Sequence, residues 1–496
     1  MWSARLALLL PLSAAGFQAT HAPAAPPAPA PAAAELAGAW AGTVEHEGEV
    51  ASFALELEPD ADGKLLLKAT VPAAHLVHAP LGKVPLVVEG NKVTLGPFAF
   101  DYDAKTKTLA GVVPAGFAPV YALPLRLRRV ERVETPARPE PGGALAEPAW
   151  TFDAGSPLWA GPTLAEGLVY SGGEDGQLHA VDATTGRKHW SFKAGGKLRT
   201  RPTVAAGAVL FQADDGFLYK LDASTGGELW RRKLLDKPVE RLPFDNPKSR
   251  YDRFGSDVTV AGGRLFVGTH DGRVLALDAA SGEQVWEFAT GDSVLAAPAV
   301  DGARLYAGSY DKHVYALDAA SGRLLWKRDT QGAVVSTPAV AGDLVVVGNR
   351  CYDLLGIRAA TGEIAWKRYV WFSWIESSAS VRDAVAYVGS SDAASVGAFD
   401  TGTGKPRWQA DVFGWAWGQP AVGDDRVYAA TSSQAGYPSG HRAGVMALER
   451  STGKIAWRYE SKPADKGAFG FPGSPALGPG FVYVTGLDGR IYAFKL

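Results

Sequence analysis

Two positions of a tandem repeat change residue type from copy to copy in a way that packing alone does not require. With the copies aligned on the hydrophobic residue that follows Pro-Ala, the position five residues earlier carries Trp159, Arg199, Gly255, Leu295, Val335, Glu376, Trp417 and Pro472. The position three residues earlier carries Gly161, Arg201, Asp257, Ala297, Thr337, Ser378, Gln419 and Ser474. Guanidinium and carboxylate groups pair with charge, the amide exchanges hydrogen bonds and tryptophan faces stack. Trp159, Arg199, Arg201, Asp257, Glu376, Trp417 and Gln419 therefore read as the lining of a funnel for a polar or aromatic ligand. The competing reading is that charged residues at these places simply face water.

A second group surrounds the first. Trp371, Phe372, Trp374, Phe413 and Trp415 stand just before two of the aligned positions, with Phe469 and Phe471 before a third. Two copies are lengthened, one between Lys233 and Gly255 (with Arg241, Asp245, Arg250, Tyr251, Asp252 and Arg253) and one near Gln434 to Arg442 (with Tyr437 and His441). Rigid aromatic area beside arginine suits a contact surface for a protein, peptide, glycan or quinone. Arg250, Tyr251, Arg253, Trp371, Trp374, Trp415, Tyr437 and His441 are the residues expected to form it. The alternative is that the aromatics pack beneath the two insertions.

Other chemistry lacks its pattern. There is no His-Glu-x-x-His, no Gly-x-Ser-x-Gly and no Gly-rich phosphate loop ending in Lys-Ser/Thr. Asp60-Ala61-Asp62-Gly63 opens like a calcium loop but has no acid at its twelfth place, so it reads as a hairpin turn. His75 and His78 have no partnering pattern, and no metal site is expected. The single Cys351 excludes an intrachain disulfide and Cys-pair zinc, and removes the cysteine a lipid anchor would need; it reads as structural.

These residues are positioned by a recurring phrase, fullest at Val314-Tyr315-Ala316-Leu317-Asp318-Ala319-Ala320-Ser321-Gly322 and ending at Trp326: a strand, a tight turn, a tryptophan. From Trp150 through Trp190, Trp230, Trp286, Trp326, Trp366, Trp408 and Trp457 the spacings are 40, 40, 56, 40, 40, 42 and 49, and Leu496 lies 39 beyond. About four short strands per unit near this period is the signature of a β-propeller, whose small sheets bury both faces only by stacking around an axis. Eight units are predicted. The last stops before its tryptophan, so Trp150-Thr151-Phe152 is expected to supply its outer strand and close the ring. Alternating strand direction puts both insertions, the Cys351 hairpin and the aligned positions on one face, and the Thr/Ser-Gly turns on the other.

This phrase, with the Pro-Ala-Val and Gly-x-x-Tyr strands before it, resembles the pyrroloquinoline-quinone-like (PQQ-like) propeller repeat over residues 148 to 496. The resemblance implies either a cofactor-free scaffold, of the outer-membrane-assembly propeller type, or a quinoprotein dehydrogenase with quinone against Ca²⁺, a catalytic Asp and a stacking Trp. In the second case Asp257 and Glu376 would serve as base and calcium ligand, and Trp417 or Trp159 would stack. No Asn stands at the aligned positions, and the adjacent cysteines of alcohol-oxidising members are missing. The chain is closer to the cofactor-free members.

The rest of the chain frames the propeller. Arg5, the apolar run Leu6 to Phe17 and the small residues near Ser13-Ala14-Ala15 read as a signal peptide (1-20), followed by an Ala/Pro-rich spacer (21-35). Period-two runs from 36 to 130 predict a small antiparallel β-barrel or sandwich of roughly eight strands, and 131-147 is a Pro/Gly-rich linker. Gly38-Ala39-Trp40 is similar to a lipocalin-type barrel start, with a core tryptophan as the plainer reading. A net charge of −2 gives no reason to expect nucleic acid, and no run is long enough to span a membrane. The sequence thus predicts an all-β, exported, monomeric, non-enzymatic scaffold or binding protein of the periplasm or exterior. It would present one propeller face to an envelope protein, peptide or glycan without a cofactor. A PQQ- and calcium-dependent oxidoreductase and a carbohydrate-binding propeller are the alternatives.

Overall fold

Each repeat folds into a four-stranded antiparallel sheet whose short inner strand, such as Ala299–Asp301, is followed outward by Arg304–Gly308, His313–Asp318 and Leu324–Asp329. The structure is a computed structural model that describes residues 33–60, 64–115, 120–135, 140–242, 246 and 249–496. The predicted signal peptide, most of the spacer, Asp62-Gly63, Pro136, Pro139 and Asp245 lie outside these. Among the described residues eight such sheets form an eight-bladed β-propeller. Blades 1 to 8 are numbered from the inner strands Thr163–Ala165, Thr203–Ala205, Thr259–Ala261, Ala299–Asp301, Ala339–Ala341, Ser380–Arg382, Ala421–Val422 and Ala476–Gly478. Trp150–Asp153 pairs antiparallel with Arg490–Lys495, so blade 8 takes its outer strand from the start of the propeller as the sequence predicts. Blade 7 carries an extra outer strand, Ala144–Leu145, parallel to Ile455–Glu460.

The core lies between blades rather than within them. Phe266, Val274, Ala276 and Trp286 of blade 3 pack on Leu305, Ala307, Tyr315 and Leu317 of blade 4 in one buried cluster. What joins blade to blade most specifically is the repeat tryptophan. Trp286 Nε1 donates to Ala319 O at 3.2 Å and Trp326 Nε1 to Ala359 O at 3.0 Å, each reaching the turn of the next blade. The same donation runs from Trp150, Trp190, Trp230, Trp366 and Trp408. The turn is built to receive it: Asp318 Oδ1 accepts from Ser321 N and Oγ, and Gly322 adopts φ +73° directly under the indole. A Cβ on Gly322 would lie 2.7 Å from the Trp286 ring. The Thr/Ser-Gly turns are thus a socket for the preceding blade, on the face opposite the insertions.

The N-terminal unit is a nearly closed nine-stranded antiparallel sheet. Its order is Leu76–Val84, Leu65–Val71, Glu49–Pro59, Gly38–His46, Pro124–Val130, Thr108–Val112, Phe98–Asp103, Lys92–Leu95, Leu86–Glu89. Strand alternation buries Phe53, Leu55, Leu57, Phe98, Leu125 and Leu127, and Trp40 is fully buried with Nε1 donating to Leu36 O at 2.8 Å. Nine strands replace the expected eight; Pro85 alone separates two of them, a break with no loop signal. Backbone contacts divide the chain into Met1–Pro139 with Tyr437–Gly440, and Glu140–Gly436 with His441–Leu496.

Replacing Trp286 by Ala should cost about 3–5 kcal/mol, and Gly322→Ala about 1–3 kcal/mol from its left-handed φ and the clash. The double variant should cost less than the sum, because removing the indole removes the clash. Guanidinium unfolding of the four proteins measures this; strict additivity would show that the socket does not act as described.

Candidate functional site

The loop before each inner strand brings one copy of both aligned positions to the propeller axis. Fifteen of the sixteen aligned residues line one cavity of about 90 Å³ there, and the sixteenth, Trp159, stands behind Arg199, whose Cζ lies 4.5 Å from the indole centroid. Arg199, Arg201, Asp257, Glu376, Trp417 and Gln419 are therefore one constellation.

Its deeper ring is cross-braced. Arg201 N donates to Asp257 Oδ1 at 2.7 Å, and Arg201 Nε to Pro162 O at 3.0 Å. Thr337 N donates to Ser378 Oγ at 2.8 Å and Gln419 N to Ser474 Oγ at 2.9 Å, while Gln419 Nε2 reaches Ala379 O at 3.1 Å. Each bond joins neighbouring blades, so these polar side chains hold the inner strands in register. Burial pushes the Asp257 carboxyl up to about 6 against the opposing pull of the Arg201 N–H and charge. Burial likewise lowers Arg201, with Asp257 opposing it.

The outer ring is filled from the first insertion. Arg253 folds into the channel mouth, where its Cζ lies 3.7 Å from the Trp417 ring centroid and its Nη2 donates to Glu376 Oε2. Arg350 Nε donates to Glu376 Oε1 at 2.6 Å, and Arg350 also lies 4.7 Å from the Trp374 centroid. The Glu376 side chain is 5% exposed and that of Arg253 4%. Burial raises Glu376, but the two guanidinium groups outweigh it and hold the carboxyl below its ordinary range. Arg199 pairs with Glu174 and is pushed down to about 10 chiefly by burial, which leaves it charged. Arg241, also from the insertion, grips Asp214 through Nε at 2.6 Å and Nη2 at 2.8 Å. Arg250 makes a two-pronged pair with Asp292 at 3.0 and 2.9 Å and lies over Tyr310.

The residues expected to form an exposed contact surface divide. Arg250 and Trp371 keep partial exposure, as does Tyr251, which packs 5.7 Å from Trp374. Trp374, Trp415, Arg253 and His441 are instead enclosed in the face. Trp415 stacks on Trp417 at 4.7 Å, bridges Ser432 and meets His441 edge-on at 5.6 Å. The reason is the long strand Arg426–Gln434 of blade 7, which rises past its sheet and pairs with Ala468–Gly470, walling in the loops beside it. Tyr437 lies in the loop after that strand. Cys351 is buried with Sγ 3.2 Å from Gln331 O, and burial pushes its thiol up to about 11, in keeping with a structural residue.

A third variable ring escaped the sequence reading. The residue that begins the hairpin turn between second and third strands is Glu174, Asp214, His270, Tyr310 and Arg350 in blades 1 to 5, and Ser391 in blade 6, whose Oγ accepts from Trp417 Nε1 at 3.2 Å. Each meets an arginine or tryptophan of the mouth. His270 sits 3.5 Å from Arg241 Nη2, and burial with that cation pushes it down to about 4, so it is neutral at pH 7. Part of the signal was present: in blades 1 to 3 the residue just before the turn varies while the Asp-Gly that follows it recurs.

Fold and axis define a propeller of the PQQ-like repeat type with a residue-lined mouth. The chain matches the family described as outer membrane protein assembly factor BamB over residues 144–249, 218–386 and 371–496, and it belongs to that family. Among solved structures it is similar to BamB from Moraxella catarrhalis, at 19% identity and TM-score 0.54, covering 71% of this chain and 98% of that one. It is also similar to the quinohemoprotein alcohol dehydrogenase from Comamonas testosteroni, at 14% identity and TM-score 0.53, covering 70% and 76%. These likenesses show the fold. Among curated proteins, the Comamonas testosteroni quinohemoprotein alcohol dehydrogenase is 51% identical over 45 residues, 9% of this chain, and the match spans only 6% of that relative's length. Lupanine 17-hydroxylase [cytochrome c] from Pseudomonas sp is 50% identical over 44 residues, again 6% of its length.

A calcium-held quinone needs an open slot on a tryptophan face and converging oxygen ligands. Here Arg253 covers Trp417, both Glu376 oxygens are engaged by guanidinium groups, and among the described residues no three His, Cys, Asp or Glu side chains converge to hold a metal. The residues in this arrangement do not fit that pair.

Asp257 gives a pH signature. With its folded value near 6 and an unfolded value near 4, the folded chain keeps a proton between those limits that the unfolded chain has lost. The penalty is absent below about pH 4 and complete above about pH 6, on the order of 2–3 kcal/mol. Asp257→Asn should gain that much stability relative to wild type between pH 4 and 7 in denaturant unfolding; a constant difference across that range would remove Asp257 as the cause.

Proposed function

We propose that the protein is a non-enzymatic binding scaffold, exported to the cell envelope, that presents the insertion-bearing face of its propeller to a protein partner. The observation that carries the reading is the state of the channel mouth. Its tryptophan face and buried carboxylate are engaged by an arginine of the chain itself, in a geometry that suits a polypeptide side chain. Around the mouth, Arg250, Tyr251 and Trp371 keep part of their surface outside, which gives the face the arginine and aromatic composition of protein contact regions. Membership of the BamB family and likeness to BamB from Moraxella catarrhalis agree with a role in the envelope.

The quinoprotein reading is kept because of the short, 51% identical match to the Comamonas testosteroni enzyme.

Two measurements separate the readings. A photo-cross-linking residue placed at Arg250 or Trp371 should capture one and the same envelope protein, while the same residue at Glu283 on the opposite face should not. Equal capture from both faces would sink the scaffold reading. Titration with pyrroloquinoline quinone and Ca²⁺ should produce no bound chromophore and no dye-linked oxidation of alcohols or sugars; a stoichiometric chromophore with turnover would replace this reading by the oxidoreductase.

A further inference from the structure

We infer that the channel mouth is a receptor for a short, arginine-bearing segment of a partner polypeptide, and that residues 250–254 of the chain occupy it as a built-in stand-in. The inference rests on the protein-binding reading above and names the chemistry of what is bound.

The segment is held in the manner of a peptide ligand. Its backbone carbonyls are met by side chains of the ring: Arg350 Nη1 donates to Arg250 O at 2.7 Å, Arg350 Nη2 to Tyr251 O at 3.2 Å, and Arg199 Nη1 to Arg253 O at 3.2 Å. Tyr310 Oη adds a further donation to Arg250 O at 3.2 Å. Contacts to backbone carbonyls are indifferent to sequence and would serve any chain that follows the same path. Sequence is read at one place. The guanidinium of Arg253 lies over Trp417, with Cζ 3.7 Å from the ring centroid, and donates through Nη2 to Glu376, whose other oxygen is fixed by Arg350. A planar, weakly hydrated cation fits that slot better than a lysine ammonium, because it can stack and present a donor fork at once.

Two features mark the segment as a displaceable occupant. It belongs to an insertion with no counterpart in six of the other blades, so the ring closes without it. Tyr251 also holds φ +58°, a left-handed conformation that a β-carbon makes costly and that leaving the mouth would relieve. Remove the segment, and what is left is a buried carboxylate beside an aromatic face, with Arg199 and Arg350 aimed at passing carbonyls. An arginine of a partner has both its charge and its plane matched there. Because the stand-in is tethered, its effective concentration is high, and a competing segment must gain further contacts on the exposed rim to replace it.

The test uses a fluorescent octapeptide that reproduces residues 249–256, titrated against the full chain by anisotropy. Arg253→Ala should bind it at least roughly tenfold more tightly than wild type, the scale of one desolvated cation–π and ion-pair contact. Adding Glu376→Gln, or replacing the peptide's second arginine by alanine, should abolish the gain. Thermal unfolding checks that the variants fold; should alanine prevent folding, Arg253→Lys keeps the charge and loses the fork, and a smaller gain in the same direction is expected. An Arg253 variant that folds and binds the octapeptide no better than wild type overturns the inference, as does binding indifferent to the peptide's second arginine. Face-specific cross-links that persist while peptide binding is absent would overturn this inference and leave the protein-binding reading standing. Peptide binding without such cross-links would overturn the protein-binding reading and, with it, the partner segment named here.

Discussion

The ring depends on a contact repeated seven times in which an indole of one blade lies over a glycine of the next and donates to a carbonyl of the same turn. A four-stranded sheet cannot bury its two faces alone, so a propeller is stable only as far as neighbours are locked at the right angle. The tryptophan does the locking with one large apolar face and one directed N–H. The socket admits it only because a glycine stands there at positive φ, where any β-carbon would meet the ring. The eighth junction is made differently. Trp457 has no Asp-x-x-Thr/Ser-Gly turn ahead of it, and packs on Phe494 and Tyr428 instead while the chain's two ends share a sheet.

Confining this lock to one face frees the other. The socket turns vary little, whereas the mouth at the opposite end holds five arginines and their carboxylate partners within a small volume. Such a network is a poor source of stability, since desolvating each charge costs about as much as pairing returns. Its central members are each engaged more than once, however. Glu376 accepts from two guanidinium groups, Arg350 uses its remaining donors on two backbone carbonyls, and Arg199 pairs with Glu174 while reaching Arg253 O. Redundant bonding of this kind fixes one geometry. It is tolerable because the interblade cores and the tryptophan sockets already supply the fold.

What the sequence disclosed follows from periodicity. Blade number, strand order, the closing strand at Trp150–Asp153 and the convergence of Arg199, Asp257, Glu376 and Trp417 all derive from positions that recur, so aligning copies was equivalent to placing them in space. The insertion obeys no period. Nothing in the local text says that Arg253 travels to Glu376, 123 residues away, and stacks on Trp417. The burial of Trp415 was hidden for a similar reason: it depends on the strand Arg426–Gln434 outgrowing its blade, which lengthening of a single copy signals without stating where the extra residues go. Ala144–Leu145, only two residues in a Pro/Gly-rich stretch, carried no strand signal at all; its pairing is decided by the free edge of blade 7.

One axis can therefore serve different ends with little change to the framework. In any propeller of this class the inner strands converge on a slot whose walls come from eight separate loops, and its contents are set by a few side chains per loop. Here the loop before blade 6 supplies a carboxylate, the loop before blade 7 a tryptophan, and the hairpin of blade 5 an arginine that fixes the carboxylate. Those three alone define a place for a planar cation. The lengthened loop before blade 3 then delivers one from the same chain, so the feature that distinguishes this axis is a residue brought to it from an insertion, and the slot's chemistry is legible from the group that now fills it.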